Sequence, residues 1–315
     1  MSQTTAADRD TDTDQLTRFL IGTAGVRGVR VHLQETWRQI REREFYPAAA
    51  AKLLGEACAA AALFTGHAKV DGRLSVQLRG EGALRTLFAE CTAVGTLRGI
   101  AQLSGEGVVS RDLRRLGPDA VLAITIENPT AGSREPVRYQ GLVSLESDSL
   151  SGAFEGYFRQ SEQLPTRLLL AADGDRAAGL MLQKLPGDQG DEDGWTRAGA
   201  LFDTLGPAEL LELPGDTLLR RLFHEDDVQI LGGRPLSFAC SCSQERVESM
   251  LVSLGREEAL AAVDAGEAAG EAAGEANIRC EFCGQSYAFD HAAIEQLFEP
   301  IKQDTVEMAA PERLQ

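Results

Sequence analysis

Positive charge is in short supply in this chain of 315 residues: 31 Lys and Arg stand against 48 Asp and Glu, a formal net charge of −17. Such acidity favours solubility and argues against nucleic acid as the main partner, because phosphate backbones are held by clustered Lys and Arg. Long apolar runs are missing too. The longest stretch without Asp, Glu, Lys or Arg is the twelve residues 57–68, whereas a bilayer span takes about 20. Residues 1–14 are polar and acidic and carry no apolar core of a secretory signal. The expectation is a cytoplasmic protein with no membrane partner.

The motifs of common enzyme classes are also lacking. There is no phosphate-binding P-loop. The Gly-x-Gly turns at 80–82 and 105–107 have Arg85 and Ser110 where a dinucleotide fingerprint needs its third glycine, so they read as hairpin turns. No serine has the glycine flanks of a nucleophile elbow. Histidine is scarce: His32, His67, His224 and His291 are far apart and form no H-E-x-x-H pair. His224 opens a His-Glu-Asp-Asp run and reads as a solvated helix end. Nothing indicates ATP use or hydrolysis, and the chain does not read as an enzyme.

What the chain does have is a cysteine pattern. Four of its six cysteines fall in two tight pairs, Cys240-x-Cys242 and Cys280-x-x-Cys283, with 37 residues between them. The expected compartment keeps thiols reduced, so such pairs point to metal or redox chemistry rather than structural disulfides. Two close pairs far apart in sequence suit a tetrahedral tetrathiolate zinc site, each pair supplying one edge. His291 follows the second pair closely, but four thiols leave it no place as a ligand. The C-x-C spacing is unusual among zinc ribbons. Sulfurs separated only by Ser241 can ligate zinc or couple to each other, and ligation and oxidation compete for the same atoms. The residues alone leave two readings open, an inert structural zinc knot and a site that reports redox state. Cys58 and Cys91 stand alone among apolar neighbours and read as small core residues.

Periodicity organises the rest. Residues 1–13 read as a disordered tail. Residues 14–187 form an α+β domain, an antiparallel sheet packed with helices. Its strands are read at 26–33, 73–78, 84–91, 97–103, 120–127, 137–145, 168–172 and 178–184, separated by Gly-rich turns. Its helices are read at 34–43, at 47–64 behind Pro47, and at 150–160. The alanine-rich 47–64 is apolar nearly all round and should be buried. Residues 188–239 read as a helical linker with short segments at 195–205, 208–213 and 216–223, broken by Gly206-Pro207 and Pro214-Gly215. Such short helices must lean on a neighbour to stay folded. A small zinc-binding domain follows at 240–303, with helices at 244–254, 257–263 and 294–303. Within it, 266–276 reads GEAAGEAAGEA, a glycine-spaced repeat with little to pack, and is expected to be a flexible insertion. Residues 304–315 read as a second tail.

Taken together these features resemble the 33 kDa chaperonin family, heat-shock protein 33. The two cysteine pairs near the C-terminus are the main likeness. It extends to Asp14-Gln15 with Arg18, Val26-Arg27-Gly28, the run DGRLSVQLRGEG at 71–82, Leu97-Arg98-Gly99, Tyr139-Gln140-Gly141, SEQLPTR at 161–167, Met181-Leu182-Gln183 and His224-Glu225. The departure is the spacing between the pairs, longer than the family usually has, with the GEAA repeat as the excess. The resemblance implies a redox-regulated, ATP-independent holdase for unfolding client proteins under oxidative stress. In the reduced, inactive form Cys240, Cys242, Cys280 and Cys283 would hold one zinc ion. Oxidation would form the redox-active disulfides Cys240–Cys242 and Cys280–Cys283, release zinc and unfold the zinc unit with the linker, and dimerisation would favour the active form. Two alternatives stand beside it. A structural zinc-ribbon binding module would keep its zinc through mild peroxide. A thiol–disulfide oxidoreductase would use Cys280-Glu281-Phe282-Cys283, although no thioredoxin-like βαβ pattern precedes that pair.

Overall fold

The computed structural model describes residues 13–299 except 106, 131, 133–134, 188–189 and 269–274. The expected tails at 1–13 and 304–315 fall almost wholly outside the described residues. By contacts the chain divides into two units, Met1–Cys240 and Ser241–Gln315.

The first unit runs β1 (Gln15–Ile21), β2 (Val26–Leu33), α1 (Glu35–Arg41), α2 (Ala48–His67), β3 (Arg73–Arg79), β4 (Leu84–Thr92), β5 (Thr96–Leu103), β6 (Val121–Asn128), β7 (Val137–Val143), α3 (Leu150–Tyr157), β8 (Thr166–Ala172) and β9 (Ala177–Lys184). It continues through α4 (Gly194–Phe202), α5 (Pro207–Glu212), α6 (Gly215–Leu222), β10 (Val228–Pro235) and β11 (Ser237–Phe238). The strands make two sheets rather than one. The first has the order β10-β1-β2-β9-β8 and the second β11-β5-β4-β3-β6-β7. All neighbours are antiparallel except β11, which pairs in parallel with β5.

Helix α2 touches strands of both sheets, which is why it is apolar on every side. By length and composition it could cross a membrane, but most of it is buried inside the fold, as befits a core helix. Two sheets close on one helix only where small residues permit it. At Gly99 of β5 an added Cβ would collide with the Cys58 sulfur on α2. Cys58 and Cys91 both lie in this core, and burial pushes both thiols far above the range in which they ionise at neutral pH. They are packing residues, as read from sequence.

The first sheet is buried on both faces. Leu16, Val29, Val31, Leu33, Leu168 and Met181 meet the α2 core, whereas Phe19, Ile21, Val26, Leu180 and Leu182 meet a second cluster built from α4, α5 and α6. The stretch expected as a linker, 188–239, therefore lies folded within the first unit. Leu205, Leu210, Leu218 and Leu222 bury their faces on the sheet, and β10 adds the sheet's last strand. The neighbour these short helices need is the sheet. Polar ties reinforce the packing. The Arg30 guanidinium on β2 donates to the Leu213 carbonyl at 3.1 Å, and His32 Nε2 lies 3.0 Å from the Leu211 carbonyl, so both grip the end of α5. Asp226 accepts from Arg197 and from Thr23, each at 2.9 Å.

The second unit comprises α7 (Gln244–Leu254), α8 (Arg256–Ala268), the hairpin β12 (Glu275–Arg279) and β13 (Ser286–Asp290), and α9 (His291–Phe298). Among the described residues its buried core is Leu251, Ala259, Val263, Ala276, Phe289 and Ile294. The expectation of a flexible insertion over 266–276 needs correcting at its edges. Residues 266–268 continue α8, and 275–276 open β12, where Ala276 is 3 % exposed. The small side chain of Ala276 fits the core, so the repeat's last residue is used for packing. Residues 269–274 fall outside the described set.

Candidate metal centre

The two cysteine pairs are presented in different ways. Strands β12 and β13 pair in register as far as Arg279 and Ser286, and the C-x-x-C occupies the turn between them. The Gly284 amide donates to the Cys280 carbonyl and the Cys280 amide donates to the Gln285 carbonyl, both at 2.8 Å. Closing that turn puts Gly284 at φ +73°, a left-handed conformation that glycine adopts without strain. Cys280 and Cys283 are thus held at the tip of a pinned hairpin.

The C-x-C pair follows β11, where the Ala239 amide donates to the Leu97 carbonyl at 3.1 Å. On its other side the chain enters α7, whose N-cap Ser243 accepts from the Arg246 amide at 3.3 Å. The Arg246 guanidinium donates to the Ser241 carbonyl at 2.6 Å and so fixes the peptide between the two cysteines.

The sulfurs of Cys240, Cys242, Cys280 and Cys283 all lie within 4.8 Å of one another. All four cysteines are half-buried, and Cys242 and Cys283 approach to 3.3 Å. Tetrahedral zinc with bonds of about 2.3 Å separates its sulfurs by roughly 3.8 Å, so the donor set fits such an ion in number, type and spacing. The structure thus brings together the four cysteines singled out from sequence. It does not add His291, which takes the first position of α9 behind the N-cap Asp290. His224 lies elsewhere, exposed beside Glu225.

Sequence reading missed one contact at the site. The Tyr287 hydroxyl donates to the Cys242 sulfur at 3.2 Å. That hydrogen bond is the main reason its phenol is pushed up to about 12, so it remains a donor at neutral pH. No local motif marks a tyrosine four residues after a C-x-x-C. The glycine after Cys283 was a readable sign of the tight turn.

A sequence profile described as Hsp33 protein matches residues 14–290. The chain belongs to the Hsp33 family. Similar proteins include the 33 kDa chaperonin of Ectopseudomonas mendocina (strain ymp), 45 % identical over 289 residues, covering 89 % of this chain and 94 % of that protein. The 33 kDa chaperonin of Azotobacter vinelandii (strain DJ / ATCC BAA-1303) is 42 % identical over 293 residues, covering 91 % and 95 %. Among solved structures, the heat shock protein 33 homolog from Thermotoga maritima superposes with a TM-score of 0.71 at 20 % identity, covering 90 % of this chain and 97 % of that one. That likeness supports an Hsp33 fold, and the family is one of chaperones.

Proposed function

We propose that this chain is a redox-regulated, ATP-independent holdase whose switch is the sulfur cluster Cys240, Cys242, Cys280 and Cys283. In the reduced state the four thiolates hold one zinc ion, and the protein is inactive. Bound zinc supplies folding free energy to the unit at 240–303, on the order of 10 kcal/mol for small tetrathiolate units. Peroxide oxidises the thiols within each pair. In each pair two electrons and two protons pass to one peroxide, which is reduced to two waters, so two peroxides in all form Cys240–Cys242 and Cys280–Cys283. A disulfide sulfur is a poor ligand, so zinc is released and the unit loses its main support. Melting then reaches 188–239 and uncovers apolar faces such as Leu205, Leu210, Leu218 and Leu222. Those faces hold unfolding client proteins in the cytoplasm, and a homodimer is the active form.

The observation that carries this reading is the convergence of all four sulfurs within 4.8 Å. Thiols able to share one ion are also able to pair, so binding and oxidation exclude each other. The test is direct. Zinc content, free thiols and suppression of light scattering by a thermally unfolding client are measured before peroxide, after it, and after re-reduction. Oxidised protein should have lost its zinc and suppress aggregation, and reduction should reverse both. Equal suppression by both forms at matched concentration would reject the switch. Zinc retained through peroxide would favour a structural ribbon, and catalytic turnover of disulfide substrates an oxidoreductase.

A further inference from the structure

We propose that Tyr287 is a positioning residue that slows oxidation at the cluster, by donating its hydroxyl hydrogen bond to the Cys242 sulfur. The inference rests on the redox reading above and concerns its rate. The register of the second unit's hairpin sets Tyr287 opposite Ile278, in the strand that leaves the C-x-x-C turn. From there the hydroxyl reaches the C-x-C pair, 3.2 Å from Cys242, while Cys283 approaches the same sulfur to 3.3 Å. One tyrosine on the second pair's hairpin therefore acts on a sulfur of the first pair. The ring rests against the unit's small core, a role phenylalanine would fill equally. The hydroxyl adds something packing does not need, a donor aimed at sulfur.

The chemistry gives that donor a direction. A sulfur lone pair of Cys242 attacks one oxygen of hydrogen peroxide, the O–O bond breaks, and the departing hydroxide takes a proton from solvent to leave as water. The sulfenic acid then condenses with the Cys240 thiol, forming the S–S bond and releasing a second water. A hydrogen bond donated to the thiolate stabilises it before attack and is weakened as sulfur gives up its electron pair, so the barrier rises. The same bond orients the sulfur toward the shared centre, as partners behind metal ligands commonly do.

The test uses the full-length reduced protein and its Tyr287→Phe variant. The variant should bind zinc with unchanged stoichiometry, but Cys242 should react with hydrogen peroxide and with iodoacetamide faster, on the order of three- to tenfold, read by peptide mass spectrometry. With cobalt(II) as a probe in place of zinc, losing the hydrogen bond should shift the sulfur-to-cobalt charge-transfer band, a signature that a packing role alone would not move. Replacing Tyr287 by 3-fluorotyrosine, a stronger donor, should slow Cys242 instead. Should Tyr287→Phe fail to fold, by circular dichroism, the fluorotyrosine protein decides by itself. Cys242 rates unchanged in both, or faster with fluorotyrosine, would overturn the inference. Failure of the wild type to hold zinc would reject the parent reading, while the ratio of Cys242 rates would still decide this one.

Discussion

Glu56 lies in the middle of α2, 5 % exposed, with Arg111 as its ion-pair partner. Burial outweighs the pull of Arg111 and raises the carboxyl to about 7. Between roughly pH 4.5 and 7 the folded protein therefore keeps a proton that the unfolded chain has released. Stability from this group falls as pH rises through that window and then levels off, by at most about 3 kcal/mol. Glu56→Gln should remove the loss. Its melting temperature should exceed that of the wild type by several degrees at pH 8 and by little at pH 5, checked by scanning calorimetry. At the cluster, Cys280→Ser removes one of four thiolates and should lower zinc retention against a competing chelator by more than about tenfold. Full occupancy in that variant would sink the ligand assignment. These residues differ in how readable they were. The four cysteines announce themselves by spacing, whereas the Tyr287–Cys242 hydrogen bond depends on how a hairpin and a helix start meet, which no window of sequence contains.

Helices α4 to α6 are short, and the sheet beneath holds them as much by polar ties as by packing. Arg197 is shared among Asp191, Asp193 and Asp226, and Asp226 is 2 % exposed at its side chain. Asp226→Ala should loosen this segment without unfolding the sheets. Amide exchange across Gly215–Leu222 should quicken on the order of tenfold, while β3 and β4 of the second sheet keep their protection. Element by element, legibility followed periodicity. Strands β3 and β5 of the second sheet alternate cleanly, and β3 is visible from Leu74, Val76 and Leu78 alone. Strand β1 was not, because its buried Leu16, Phe19 and Ile21 break step where the pairing with β10 shifts register between Arg18 and Phe19. Strand β10 carries Gly232, Gly233 and Pro235, all poor strand formers, and exists because β1 pairs with it. Residues 188–239 carry only short helices broken by Gly206-Pro207 and Pro214-Gly215, the pattern of a linker that leans on some neighbour, and only the twice-buried first sheet shows which neighbour takes their apolar faces.

At the scale of the whole molecule, the two units rest on different supports. The first has a core spanning two sheets, and the second has a handful of buried side chains around the hairpin and three helices. Chelating zinc from the reduced protein should therefore melt α7 to α9 first. Far-ultraviolet circular dichroism should lose helix and keep strand signal, and limited proteolysis should cut beyond Cys240 before it cuts within the sheets. The first sheet has one further consequence, which concerns how the chain is made. Its strand β1 is bracketed by β2 and by β10, with Gln15 opposite both His32 and Pro235. At a translation rate of about 5–20 residues per second, the ribosome delivers β1 on the order of ten to forty seconds before β10 emerges to cover its edge. Throughout that interval the nascent chain carries an uncapped strand, and the helices that will shield its other face are still being synthesised. A member of a chaperone family thus passes through its own exposed stage on the way out of the ribosome.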